Sequence, residues 1–317
     1  MVFSRARAAL ILAVLFADLQ FLAAETFRVA TYNVENYLDQ PSGTRQAKSP
    51  EAKAKVRESI LALKPDVLAL QEIGTTNALL ELQASLKTAG LDLPYWEHVS
   101  GHDTNIHVAI LSRFPIISRH PHTNDSYLLN GSRFTVNRGF ADVVIQINPA
   151  YSFELIDAHL KSKIPVPEAD QADIRLEEAK ILRQKIDASL AADPNVNLVV
   201  LGDLNDTHDS PAIRTIIGRG KKAVLDTRPA EQNGDAEPHS DRRLAQREVT
   251  WTEFYSKEDI YSRIDYILLS HSMAKDWAPA ETRILALPNW GLASDHRPLV
   301  AAFTVPDTGS AGASRQK

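Results

Sequence analysis

The chain contains no cysteine, which excludes disulfide staples, thiolate metal sites and cysteine nucleophiles in one stroke. Its 317 residues can bury a core large enough to do without staples. Any bound metal must be held by oxygen and imidazole. There is no low-complexity segment and no repeat at a fixed period, so solenoids and propellers are excluded. Nor is there an excess of positive charge: 35 Lys and Arg stand against 40 Asp and Glu, a formal charge of −5. Strong nucleic-acid binders are usually basic overall, so tight sequence-specific DNA binding is disfavoured.

Long apolar runs are also missing, with one exception. Ala8 to Leu22 is apolar apart from Asp18 and Gln20, follows Arg5 and Arg7, and ends on Ala23-Ala24. Asp18 breaks the run short of the roughly 20 apolar residues that a spanning helix needs. We read residues 1–24 as a secretory signal peptide cleaved near Ala24, and expect a secreted or periplasmic protein. Without them, 33 basic residues face 39 acidic ones. Residues 25–306 read as one domain with no linker-like division, and 307–317 as a disordered tail.

What is present is an alternation of strand-like and helical patterns. Strands are expected at 27–33, 66–71, 107–112, 141–147, 153–159, 197–202, 264–270 and 299–304. Helices are expected at 49–63, 77–89 and 169–192, and a polar loop at 218–248. Strands mixed with helices and hairpins imply an α/β layered sandwich.

The chemistry lies where these strands end. Ala30-Thr31-Tyr32-Asn33-Val34-Glu35-Asn36 runs into Asn33 and Glu35, which strand period places on one face. Leu68-Ala69-Leu70-Gln71-Glu72 ends on Glu72. Asp157-Ala158-His159-Leu160-Lys161-Ser162-Lys163 places Asp157, His159 and Lys161 on one side. Leu201-Gly202-Asp203-Leu204-Asn205-Asp206 delivers Asp203 and Asn205 past a glycine that permits close backbone approach. Ile264-Asp265-Tyr266-Ile267 sets a carboxylate among strand residues, where it needs a partner. Ser294-Asp295-His296-Arg297-Pro298 precedes the last strand.

Each block alone has an ordinary reading as a turn, a solvated strand end or a structural ion pair. Together they form a set. Glu35, Glu72 and Asp295 offer hard oxygen ligands for magnesium or manganese, with calcium an alternative. His159, Asp203, Asn205, Asp265 and His296 are the candidate catalytic residues. Asn33 and Lys161 are the candidate phosphate contacts.

The ordered set, spanning Thr31 to His296, resembles the endonuclease/exonuclease/phosphatase superfamily, which includes deoxyribonuclease I. Its Tyr32–Asn36, His159–Lys163 and Gly202–Asp206 segments are most similar to bacterial extracellular nucleases. The resemblance implies a four-layer α/β/β/α sandwich, two mixed sheets face to face with helices outside. It implies Glu72 as principal metal ligand, with Asn33, Glu35 and Asp295 near the metal. It makes His296 a base or phosphate-polarising group oriented by Asp265. Asp203 would orient or deprotonate water, while Asn205 and His159 bind the scissile phosphate. Where deoxyribonuclease I has a glutamate, this chain reads Asp103-Thr104-Asn105-Ile106-His107, so a second acid–base pair of that style is not expected.

The activity expected is that of a metal-dependent phosphodiester hydrolase, a nuclease acting on DNA or RNA. Arg133, Arg138, Lys163, Lys221 and Lys222 are its candidate backbone contacts. A phospholipase C-like, sphingomyelinase-like or small-phosphoester hydrolase is the alternative, with Tyr95-Trp96 and Trp290 as candidate lipid-facing aromatics. A non-enzymatic binding module is the third reading. Neither an obligate protein partner nor an oligomer is implied, and a monomer is expected.

Overall fold

The computed structural model describes residues 25–232 and 248–305. The segments read as signal peptide and tail, and residues 233–247 of the polar stretch, lie outside the described residues.

The first half runs β1 (Thr26–Tyr37), α1 (Pro50–Leu63), β2 (Val67–Ile73), α2 (Thr76–Thr88), β3 (Tyr95–Val99), β4 (His107–Ser112) and β5 (Ile116–Arg119). A hairpin of β6 (Ser126–Leu129) and β7 (Ser132–Thr135) leads to β8 (Phe140–Asn148), β9 (Tyr151–His159) and α3 (Gln171–Ala192). Then come β10 (Leu198–Asp203), α4 (Pro211–Ile217), β11 (Leu225–Asp226) and β12 (Ala230–Glu231). After the gap follow β13 (Glu253–Tyr255), β14 (Ile260–Ser262), β15 (Asp265–Leu269), β16 (Trp277–Ile284) and β17 (Leu299–Thr304).

Helix starts are written locally. Ser49, Thr75, Asp170 and Ser210 each accept a backbone N–H of the first turn, and Pro50 and Pro211 follow two of them at a position that needs no donor. Asp170 as cap moves the start of α3 to Gln171, two residues past the sequence expectation.

Two sheets form. One has the order β12-β16-β17-β1-β2-β4-β3, the other β11-β15-β10-β9-β8-β5. Each is mixed: β1–β2 and β9–β10 pair in parallel across helical crossovers, flanked by antiparallel neighbours.

Period-2 alternation sorts the strand residues into layers. Phe27, Val29, Val67, Ala69, Val108, Ile110, Val143, Leu155, Val199, Leu201, Ile267 and Phe303 face the opposite sheet and form a single inter-sheet core. Ala30, Tyr32, Leu68, Leu70 and Val300 turn outward against α1 and α2. Phe140, Ile156, Val200 and Leu268 turn outward against α3 and α4. This is the expected four-layer sandwich.

The structure adds elements that the pattern did not announce. β3, β5 to β7, β13, β14, β16 and α4 are short or carry no clean alternation, and β11 and β12 fall in the stretch read as loop.

Candidate active site

The inter-sheet stripe changes chemistry at one edge of the sandwich. Following it along the strands, Val29 and Thr31 lead to Asn33, Ala69 to Gln71, Leu155 to Asp157 and His159, and Leu201 to Asp203. Asp203 lies opposite His159 on one side and Asp265 on the other. These side chains are buried, so each polar atom needs a partner.

Gln71 supplies one bridge between the sheets, donating from Nε2 to Asp157 at 2.6 Å and to Thr31 Oγ1 at 3.0 Å. Burial lifts the Asp157 carboxyl well above the carboxylate range, with the Gln71 hydrogen bond opposing. A second bridge is the donation of Asn33 Nδ2 to Asp203 Oδ2 at 2.9 Å. Around Asp203 the remaining groups converge: His159 Nε2 lies 3.4 Å and His296 Nε2 3.7 Å from the same oxygen. His296 Nδ1 is 2.8 Å from Asp265 Oδ2. Asn205 receives orientation twice, its backbone N–H donating to Asp203 Oδ1 at 2.9 Å and its amide to the Leu160 carbonyl at 3.1 Å.

Electrostatics divides the three titrating groups. Burial pushes Asp203 up to about 7, with His296 opposing and Asp265 adding to the rise. Burial works against charge on His296, but Asp265, Asp203 and Asp295 together outweigh it and hold the imidazole well above the histidine range. Burial, aided by Arg138 and His296, drives His159 well below that range. The cluster therefore combines a carboxyl poised near neutrality, a cationic imidazole and a neutral one.

Beside it stands a partly exposed rim of Glu35, Glu72 and Asp295. Both glutamates have left-handed backbone, φ 41° and 62°, as do Asn36 at 50° and Asn205 at 56°. The pairing of β1 with β2 shifts register between Asn33 and Tyr37, and that of β2 with β4 between Gln71 and Ile73. Glu35 thus reaches the rim through a bulge and not through plain alternation, which corrects the sequence expectation. Non-glycine residues held in this conformation cost free energy that the surroundings must supply. The Asn36 N–H binds Glu72 Oε2 at 2.9 Å, and Lys48 Nζ binds the Glu35 carbonyl at 2.8 Å. Burial and then Asp295 raise the Glu35 carboxyl, with Lys48 opposing and Glu72 adding.

Two groupings are therefore candidates for a cation. Among the described residues, Asp203, Asp265 and His296 form the group of three whose ligating atoms lie within 4.8 Å of one another. Their polar atoms are already engaged in the His296–Asp265 and Asn33–Asp203 hydrogen bonds, so this trio holds protons better than an ion. Glu35, Glu72 and Asp295 are more widely spaced, all oxygen, and short of positive charge. That donor set fits a hard divalent ion that keeps several waters and takes few carboxylates.

Of the sequence candidates, Asn33, His159, Asp203, Asn205, Asp265 and His296 meet in one cluster, with Glu35, Glu72 and Asp295 at its mouth. Lys161 does not join them. Its ammonium donates to the carbonyls of Ser162 at 3.0 Å and Ile164 at 2.6 Å, pinning the loop after β9. Arg138 is buried and donates to the Leu160 carbonyl, so it is no surface contact for a backbone. Sequence reasoning missed Gln71, Lys48, Ser294 and Thr252. Ser294 Oγ ties the Asn33 carbonyl to the His296 N–H, and Thr252 Oγ1 accepts the Asp265 N–H. Gln71 had a signal, a polar residue at an inward position of an apolar strand. The others had none.

The segment around Thr252 carries a further feature. Glu253 bridges His296, and the Phe254 N–H binds the Asp295 carbonyl at 2.9 Å. The β13–β14 hairpin is thus tied to the site, and it bears aromatics. Phe254 stacks on Tyr261 at 4.5 Å, while Trp251 meets Tyr261 at 4.8 Å and Trp290 at 5.4 Å. The Arg297 guanidinium lies 3.3 Å over the Trp251 ring. Tyr261 and Tyr255 remain exposed.

Comparison with solved structures finds the same fold at low identity. The human nocturnin catalytic domain with bound sulfate is 18% identical, with 88% of this chain and 94% of that one covered and a TM-score of 0.59. Sphingomyelinase C from Streptomyces griseocarneus is 18% identical, with 89% and 100% covered and a TM-score of 0.57. Truncated TDP2 of Caenorhabditis elegans is 17% identical, with 88% and 98% covered and a TM-score of 0.55. No curated protein sequence matches the chain. The sequence itself matches the Endonuclease/Exonuclease/phosphatase family over residues 30–296, nearly all of the described structure. The chain belongs to the endonuclease/exonuclease/phosphatase family, a family of phosphoester hydrolases.

Proposed function

We propose that this chain is a divalent-metal-dependent phosphodiester hydrolase acting on nucleic acid, and that residues 1–24 direct its export. The observation that carries the hydrolase reading is the Asn33–His159–Asp203–Asp265–His296 cluster. Asp203, near neutrality, accepts the proton of a water that attacks phosphorus in line, while the P–O ester bond opposite breaks and its oxygen leaves as an alcohol, protonated from solvent. His296, kept cationic by Asp265, faces the charge growing on a phosphoryl oxygen, and Asn33 and Asn205 donate to the others. A divalent cation held by Glu35, Glu72 and Asp295 would add positive charge at the same oxygens when bound.

The aromatic hairpin beside this cluster supports nucleic acid over lipid. Its most exposed ring, Tyr261, lies along the strand, while its tip, Ser256-Lys257-Glu258-Asp259, is polar and exposed. A hairpin that entered a membrane would carry its aromatics at the tip. Rings along the side suit stacking against bases. The sphingomyelinase-like alternative keeps one supporting observation, the half-exposed Tyr95-Trp96 pair on edge strand β3.

The test is hydrolysis of plasmid DNA, RNA and sphingomyelin vesicles by protein beginning at Glu25, with magnesium, manganese, calcium or chelator. We expect metal-dependent cleavage of nucleic acid, reduced about 10²- to 10⁴-fold in Asp265→Asn and His296→Ala. Turnover of sphingomyelin alone would overturn the substrate assignment. Export is checked by a mature N-terminus at Glu25 on protein recovered outside the cytoplasm.

A further inference from the structure

The loop between β1 and α1 passes the rim of the site and carries an arginine that the hydrolase reading leaves unused. Ser42 and Arg45 exchange both backbone hydrogen bonds at 3.0 Å, which closes the loop on a two-residue turn of Gly43 and Thr44. Gly43 supplies a positive φ of 59° at the first central position, where a side chain would be strained. The Lys48 N–H donates to the Leu38 carbonyl at 3.1 Å and staples the base of the loop. Ser42 Oγ donates to Asn105 Oδ1, docking the turn on the segment that precedes β4. The backbone of Arg45 is thus held from both sides.

Its side chain reaches the rim. One guanidinium nitrogen donates to Asn36 Oδ1, and Asn36 is the residue whose N–H holds Glu72. Arg28, Arg119, Arg175, Arg263 and Arg297 each pair with a carboxylate, whereas half-buried Arg45 pairs with none among the described residues. A single nitrogen of the guanidinium is engaged within the chain, and the planar fork that remains matches the oxygens of a phosphate group. Its charge is felt inside the site as well. Burial first, then Arg138, His296 and Arg45, keep the His159 imidazole unprotonated. Lys48, the other cation of the loop that faces the site, is spent on the Glu35 carbonyl, which leaves Arg45 to meet an anion.

We propose that Arg45 binds the phosphate next to the scissile one on a nucleic-acid strand, and so makes the site favour a strand over an isolated phosphodiester. The inference rests on the nucleic-acid reading above, since a sphingomyelin headgroup carries a single phosphate. The scissile phosphate is already provided for by His159, His296, Asn33 and Asn205, and among the described residues Arg45 shares a hydrogen bond with none of them. From its anchor on Asn36 it meets the next charge along the strand, where a contact fixes register and reads no base. The acidic balance of the chain, −5 overall, gives this residue its weight. A fixed guanidinium at the mouth offers a polyanion the local attraction that the molecule as a whole withholds.

The experiment measures kcat and KM over a series of salt concentrations, on a single-stranded DNA oligonucleotide and on bis-p-nitrophenyl phosphate. Protein beginning at Glu25 is compared as the unaltered chain, Arg45→Ala and Arg45→Lys. In Arg45→Ala, KM for the oligonucleotide should rise about 10- to 100-fold with a much smaller change in kcat, the loss expected of one charge-assisted contact. The slope of log(kcat/KM) against log salt should flatten by about 0.7, as for one single-strand phosphate contact. Arg45→Lys keeps the charge and should keep the slope while recovering part of KM. Bis-p-nitrophenyl phosphate, which has no second phosphate, should lose far less than the oligonucleotide. An equal loss on both substrates, or a loss on the oligonucleotide at unchanged slope, would assign Arg45 to support of Asn36 and overturn the proposal, as would an unchanged KM. Failure of the unaltered chain to cleave the oligonucleotide with any metal would instead overturn the nucleic-acid reading, and the proposal with it.

Discussion

Gly202 shows how one residue sets the geometry of the cluster. It sits at φ +127° directly before Asp203, and a Cβ built there would lie 2.0 Å from the Ala158 carbonyl oxygen and 2.9 Å from Asp157 Oδ1. The strand pair β9–β10 can therefore close only over a hydrogen atom, and this closure brings His159 and Asp203 side by side. Gly202→Ala should cost about 3–4 kcal/mol, from overpacking and an unfavourable backbone angle together. Urea unfolding reads this directly, and a loss below about 1 kcal/mol would show that the strands part without penalty. The glycine and the carboxylate after it were visible in the sequence. The left-handed angles at Glu35 and Glu72 were not, because local propensity argues against them and the bulged pairing imposes them.

At the scale of the element, the β13–β14 hairpin does two jobs that can be separated. Its Thr252–Phe254 stem holds Asp265 and the 295–297 segment, whereas Tyr261 on β14 is 55% exposed. If the exposed face stacks bases, Tyr261→Ala should raise KM for single-stranded DNA or RNA about 5- to 100-fold. Turnover of bis-p-nitrophenyl phosphate, which presents no base, should stay the same. An equal loss on both substrates would assign Tyr261 to support of the stem. This hairpin was illegible beforehand. Its strands are three residues each, and their order of polar and aromatic residues matches no period long enough to read.

The whole molecule should respond to acid through His107, the first residue of β4. It is 6% exposed, and its Nδ1 is buried without a hydrogen-bond partner. Burial, with His98 adding, lowers its pKa from 6.5 to about 4. Above pH 6.5 the ring is neutral in both folded and unfolded chains and costs nothing. Below that value the unfolded chain takes up a proton that the folded one refuses, so stability falls until about pH 4. The loss over that interval is about 3 kcal/mol. Denaturant midpoints between pH 7 and pH 5 should decline more steeply for the unaltered chain than for His107→Gln. Parallel curves would place the acid sensitivity elsewhere.

The same scale separates what the sequence determined by itself from what folding decided. Alternation in β1, β2, β4, β8, β9, β10, β15 and β17 fixed which residues face the opposite sheet, because side-chain period in a strand is a local property. With it came the polar ends of those strands, and so most of the buried polar cluster. The sequence could not decide that Lys161 and Arg138 would be consumed by loop carbonyls, since a basic side chain near a motif looks the same whichever way it turns. Nor could it show that His120 and His122 would flank Asp142, or that Ser294 would join the Asn33 carbonyl to His296. Those contacts are made between residues tens to hundreds of positions apart. Only the pairing of strands and loops distant in sequence sets them side by side.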